Sequence, residues 1–184
     1  MLTSVLRLPV LAATMAMGLS VMGSSAAAVP PDPDPVPLVE VSAGAAAIFN
    51  SHERLIRGGI EYIAEPFWGQ WAIRPGLGFS YFEEGSNYVY ISFNRDFPLG
   101  RHWLWRLTTG AGYYHESLEL NLGCGIEFRS GLELAYRFDN GMRLGASLHH
   151  MSNADSCTHN PGTEIVSAAF SFPIGRAASA SRTD

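Results

Sequence analysis

His150, Ser152 and Glu164 fall within one short span, Leu148-His-His-Met-Ser-Asn-Ala154 followed by Asn160-Pro-Gly-Thr-Glu164. A histidine, a serine and a carboxylate are the base, nucleophile and orienting group of acyl transfer, provided that the side chains meet. His150 would take the proton of Ser152 and return it to a leaving alkoxide. Glu164 would fix the imidazole tautomer and stabilise the imidazolium. The tetrahedral oxyanion of such a reaction needs hydrogen-bond donors. Asn153, Asn160 and the backbone amides around Gly162 are the nearest candidates along the chain.

Whether the three meet depends on the elements that carry them. After Pro37 the chain shows no convincing amphipathic helix; aromatic and β-branched residues alternate with Gly, Ser and charges between turn signals. Eight segments follow: Leu38–Phe49, Gly58–Glu65, Gln70–Phe82, Asn87–Arg95, His102–Tyr114, Cys124–Phe138, Met142–Asn153 and Thr163–Gly175. In the fifth, Trp103, Trp105, Leu107, Ala111 and Tyr113 oppose Arg106, Thr108, Gly110 and Gly112. In the sixth, Ile126, Phe128, Leu132 and Leu134 oppose Glu127, Arg129 and Glu133. The fourth is less clean, with apolar or aromatic side chains on both faces.

The polar face is poor in Lys and rich in Gly and Ser with Glu and Arg interleaved, which suits a narrow, charge-paired lumen. The apolar face carries aromatics near segment ends (Trp71, Tyr81, Trp103, Tyr113), as in the girdles of outer-membrane barrels. Segments of roughly 10 alternating residues match tilted transmembrane strands. The expected fold is all-β: an eight-stranded antiparallel transmembrane β-barrel, closed because hydrocarbon leaves no partner for an edge strand. A secreted lipocalin-like barrel with a ligand cavity is the soluble alternative. Turns are expected at Pro66–Gly69, Pro98–Arg101 and Asp139-Asn-Gly141, and external loops near Asn50–Arg57, Glu83–Ser86, His115–Gly123 and Ala154–Gly162. Pairing Phe138 with Met142 implies a three-residue turn with Gly141 left-handed.

Bulk properties agree with export to an envelope. The chain has 184 residues, enough for one domain, and a formal charge of −5, which argues against a nucleic-acid partner. Residues 1–28 read as a signal peptide: Arg7, an apolar run from Leu8 to Met22, and small residues ending at Ala28. A retained anchor is the alternative, although the run is short for a spanning helix. Residues 29–37 form a Pro/Asp-rich leader, 38–175 the barrel and 176–184 a C-terminal tail.

Strand parity then brings the opening residues together. Met142, Leu144, Ala146 and Leu148 lead to His150 and Ser152 on the lipid-facing side, and Phe172, Phe170, Ala168 and Val166 lead back to Glu164. Residues two apart on a strand share a face about 7 Å apart, and a neighbouring strand supplies cross-strand contacts. The plainer alternative is that His150 and Ser152 are polar groups at the headgroup level, satisfied by water. Three residues agreeing in parity, with Asn-rich flanks, favour the triad. His149 has lumen-facing parity and is expected to be structural.

His150-Met-Ser-Asn-Ala154, with Asn160-Pro-Gly-Thr-Glu164 leading into a last strand, resembles the signature of the PagL family of lipid A 3-O-deacylases. The resemblance is specific in this C-terminal quarter. It implies an outer-membrane esterase, without metal or cofactor, that removes the acyl chain ester-linked at position 3 of lipid A, the lipopolysaccharide anchor. It assigns the catalytic roles to Ser152, His150 and Glu164, and the Asn residues beside the site to Asn153 and, less closely, Asn160. The non-enzymatic alternative is a barrel for adhesion or envelope integrity. Outer-membrane lipid is the expected surroundings, and a homodimer is left open. Cys124 and Cys157 come close in the expected register, where Cys124 falls opposite Ser156, so a disulfide between them is an open expectation.

Overall fold

The computed structural model describes residues 36–49, 54–117 and 120–175. The signal segment, most of the leader and the tail lie outside the described residues. Alternating side chains give eight strands: β1 (Leu38–Ala46), β2 (Leu55–Ile63), β3 (Ile73–Phe82), β4 (Asn87–Leu99), β5 (Trp103–His115), β6 (Ile126–Arg137), β7 (Arg143–Ser152) and β8 (Thr163–Pro173). Each pairs antiparallel with the next, and β8 pairs with β1, closing a barrel that leaves no ladder edge open.

The outer face is apolar over most of the described strands. Val41, Ile60, Leu77, Ile91, Leu107, Leu132, Leu148 and Val166, one from each strand, are all exposed. So are Tyr62, Tyr81, Trp103 and Tyr113 nearer the strand ends. A continuous belt of this kind is unstable against water and suited to hydrocarbon, with aromatics at its margins.

The lumen divides into two halves. Toward the end with the tight turns, Arg106 donates from Nε to Asp96 Oδ1 at 2.8 Å and from its Nη1 to Glu40 Oε2 at 2.7 Å. Arg143 donates to Asp96 Oδ2 at 2.6 Å, and Glu133 lies 3.4 Å from Arg106. Midway, Glu61 accepts from Tyr90, Ser92 and Asn94. These buried charges lie among opposite charges and donors, the condition under which charge survives out of water. Toward the end with the long loops, Leu55, Phe82, Tyr88, Tyr114, Leu122, Met151 and Ile165 pack into an apolar plug. The charge-paired lumen read from the sequence therefore holds for only part of its height. Tyr88 and Tyr90 of the ambiguous fourth segment face inward, stacked with ring centroids 5.0 Å apart.

Several strand limits differ from those expected. β4 runs on to Leu99, because Asp96 faces the lumen to meet its arginines and the ladder continues to Leu99 opposite Trp103. The turn is correspondingly displaced from Pro98. β3 begins at Ile73; before it the chain passes through left-handed Trp68 (φ 62) and Ala72 (φ 45) around a 3₁₀ turn, Gly69–Trp71, so Trp71 is exposed but lies off the strand. β1 stops at Ala46, where Ala47 turns to φ 56 and its N–H donates to Thr163 Oγ1 at 3.0 Å. β2 begins at Leu55, earlier than Gly58, since Ala46, Ala45 and Gly44 pair with Leu55, Ile56 and Arg57. The β6–β7 turn follows expectation: Gly141 has φ 82, and the Phe138 N–H donates to the Met142 carbonyl at 2.8 Å.

Replacing Arg106 by Met should leave Asp96, Glu40 and Glu133 crowded without their shared cation. Breaking a buried ion network by removing one partner costs about 3–5 kcal/mol. Urea titration of the micelle-embedded barrel, followed by the mobility of its folded form on gels, should show that loss.

Candidate active site

Register decides where the polar side chains of β7 and β8 go. Ser130 of β6 pairs with His150 of β7, and His150 pairs with Glu164 of β8, while Phe128 pairs with Ser152. The alternation that puts Leu144, Ala146 and Leu148 outside also puts His150 outside. His150 Nδ1 lies 3.3 Å from Glu164 Oε1. A carboxylate carries no hydrogen to give, so the ring donates from Nδ1 and Nε2 is left to accept. The His150 side chain is 52% exposed and that of Glu164 29%, a hydrogen bond on the surface rather than in the lumen.

Ser152 follows His150 by two residues on the same face and is partly exposed. Its hydroxyl makes no hydrogen bond to the imidazole among the described residues. Such contacts commonly tighten only when substrate is bound.

Gly162 completes the surroundings of the ring. It has φ 63, a conformation that favours glycine, and a Cβ added there would stand 3.0 Å from His150 Cε1 and 3.5 Å from Nε2. The backbone of the β7–β8 loop thus lies against the edge of the imidazole that faces away from Glu164.

Asn153 and Asn160 hold that loop. The Asn153 side chain has the inward parity of Met151 and is fully buried. Its Nδ2 donates to the carbonyls of Leu122 at 2.9 Å and His159 at 2.8 Å. Its backbone N–H donates to Asn160 Oδ1 at 3.1 Å, and Asn160 Nδ2 donates to Asp155 Oδ1 at 2.8 Å. Asn153 thus spends both hydrogens of its side-chain amide on carbonyls, one of them in the β5–β6 connection, and Asn160 spends one of its two on Asp155. Ala154 (φ 52) and Asp155 (φ 60) are left-handed, and the Asn153 carbonyl accepts from the N–H and hydroxyl of Ser156. Cys124 and Cys157 are joined by a disulfide spanning 6.3 Å between Cα atoms, and Ser156 Oγ lies 4.0 Å from Cys124 Sγ.

His149 points inward, with Nε2 2.9 Å from Arg129 Nη2, and takes no part in the outer surface. Sequence reasoning missed Ser130, Leu122 and Asp155. Only Ser130 carried a signal, a serine at a lipid-facing position among apolar residues. Among the described residues no group of three or more His, Cys, Asp or Glu is placed to hold a metal ion.

A family model, lipid A 3-O-deacylase (PagL), matches residues 39–173. The chain belongs to this family. It is accordingly an ester hydrolase of the lipid A 3-O-deacylase class, built as a bacterial outer-membrane β-barrel. The crystal structure of the outer membrane enzyme PagL is similar, with 22% identity, TM-score 0.55, and coverage of 74% of this chain and 99% of that one. Neisserial surface protein A (NspA) has 12% identity and TM-score 0.55, over 75% of this chain and 96% of that one. A designed transmembrane β-barrel has 10% identity and TM-score 0.55, over 78% and 98%. These structural likenesses concern the barrel. No curated protein sequence matches the chain.

Gly162→Ala should strain the left-handed backbone and push against the imidazole, leaving the barrel itself intact. With His150 as a catalytic base, a displacement of this size should lower kcat about tenfold or more, measured on an ester substrate in micelles with folding checked by gel mobility.

Proposed function

We propose that this deacylase works through a Ser152–His150–Glu164 triad on its lipid-facing surface, at the end of the barrel that carries the β7–β8 loop. The observation that supports it most directly is the outward row in which Glu164 holds His150 Nδ1 while Nε2 stays free. In this reading His150 Nε2 takes the Ser152 proton as Oγ attacks the ester carbonyl. The imidazolium then gives that proton to the sugar oxygen as its bond to the acyl carbon breaks, and a water attacking the acyl-serine in the same way releases the fatty acid.

Asn153 spends both side-chain donors on the Leu122 and His159 carbonyls and so supports the site by shaping it, whereas Asn160 gives one Nδ2 hydrogen to Asp155 and has a second to offer an oxyanion. Pro161 has no N–H, so the amide of Gly162, beside the imidazole, is the backbone oxyanion donor that would act with Asn160 Nδ2. The substrate is lipid A, whose ester at position 3 would approach sideways from the leaflet. Its acyl chains would lie against Leu148, Val166 and Phe170, and its head group against the loops. We assign that leaflet as the outer one, with the β7–β8 loop external. The family signature and the apolar belt support this assignment.

Lipid A from cells expressing Ser152→Ala should keep its 3-O acyl chain in the mass spectrum, whereas wild type should remove it. Glu164→Gln should keep the fold yet lower kcat by about 10²- to 10⁴-fold, as expected when an orienting carboxylate is neutralised. Full deacylation by inserted Ser152→Ala protein would refute the triad.

A further inference from the structure

The outward positions of the eight strands are almost wholly apolar. Among the described residues, Asn87 and His115 mark the loop-side limits of β4 and β5, and Arg95 lies over the rings of Trp71 and Phe97. Every other outward Ser, Thr, His or charged side chain of the strands falls in one patch. Besides His150, Ser152 and Glu164 it contains two residues without a role so far, Ser130 of β6 and Thr109 of β5, both exposed. The register strings four of the five into one row: Thr109 opposite Ser130, Ser130 opposite His150, His150 opposite Glu164.

Directly opposed residues on adjacent strands bring their Cβ atoms to about 4.5–5.5 Å, and diagonal neighbours lie at about 7–8 Å. Ser130 is the direct neighbour of His150 and the diagonal neighbour of Ser152, and Thr109 continues the row away from Glu164. Beyond this row, toward the turn end, Leu107, Leu132, Leu148 and Val166 restore the apolar belt. Hydroxyls set in such a surface lie where hydrocarbon offers no hydrogen-bonding partner. A ligand at Ser152 that carries a polar group beside its ester would meet them.

The chemistry of the row defines that group. Ser and Thr hydroxyls are neutral and both donate and accept. No arginine stands in the row, so an anionic phosphate finds no counter-charge there. A neutral hydroxyl or amide fits.

We propose that Ser130 and Thr109 form a polar subsite that recognises a neutral hydrogen-bonding group of the glycolipid, an acyl-chain hydroxyl or an acyl amide lying near the scissile ester. The subsite rests on the Ser152–His150–Glu164 reading, since it is placed relative to that nucleophile. It makes Ser130 and Thr109 determinants of specificity, selecting esters whose polar substituent enters the hydrocarbon zone beside the carbonyl.

The test uses the full-length barrel in detergent micelles with synthetic glucosamine esters in matched pairs. One pair differs only in a hydroxyl near the carbonyl of the ester-linked chain. The other differs only in whether the sugar nitrogen carries an acyl amide. Wild type should prefer the member with the polar group, and Ser130→Ala and Thr109→Val should each reduce that preference about five- to tenfold in kcat/KM, the size of one lost hydrogen bond. Loss of preference in the first pair identifies the hydroxyl as the recognised group, and loss in the second identifies the amide. Either outcome supports the subsite. An equal fall on all substrates would mean a structural or ring-positioning role, and unchanged preference in both pairs would mean no contact; each overturns the proposal. Ser152→Ala, assayed on the same esters, separates the two readings: residual full activity there would refute the triad instead.

Discussion

The rest of the structure depends on the closure of a hydrogen-bonded ladder through all eight strands. In hydrocarbon an unpaired amide has no solvent to turn to, so β8 must find β1 and the register must be consistent all the way round. A side chain's face is then no longer a local matter. Slipping β7 by one residue would send His150 into the lumen, away from Glu164, and turn His149 to the lipid. The position of the proposed triad is inherited from ladder pairing over the whole barrel, with few contacts of its own to enforce it.

Inside the barrel, stability and site support occupy different heights. Arg106, Arg143, Asp96, Glu40 and Glu133 bind opposite walls together at the turn end. The plug of Phe82, Tyr88, Tyr114, Leu122 and Met151 lies at the loop end, where β7 carries Ser152. Met151 sits between His150 and Ser152 in the chain and is wholly buried. The plug therefore fixes from within the backbone whose outer face carries the proposed triad.

Much of this was legible in the sequence, because alternation has a period of two and leaves a trace in any strand with two unlike faces. The barrel, the Phe138–Met142 turn and the shared facing of His150, Ser152 and Glu164 all follow from it. It failed where the two faces are alike. In β4, Tyr88 and Tyr90 face inward opposite an apolar outer face, so nothing in the pattern announced the plug. Strand ends were misjudged where a tertiary partner overrides local signals, as Asp96 does by carrying β4 past Arg95. The loop after Ser152 was the least legible part. The side chain of Asn153 is spent on carbonyls of Leu122 and His159 that only folding brings near, and no spacing rule could announce left-handed Ala154 and Asp155.

The plug has one further consequence. With Phe82, Tyr88, Tyr114 and Leu122 packed into the loop end of the lumen, the proposed site on the outer face would be reached within the plane of the leaflet. An enzyme so arranged meets its substrate by two-dimensional diffusion. Its rate then follows the mole fraction of substrate among neighbouring lipids, so that mixing in inert lipid slows it where added water does not.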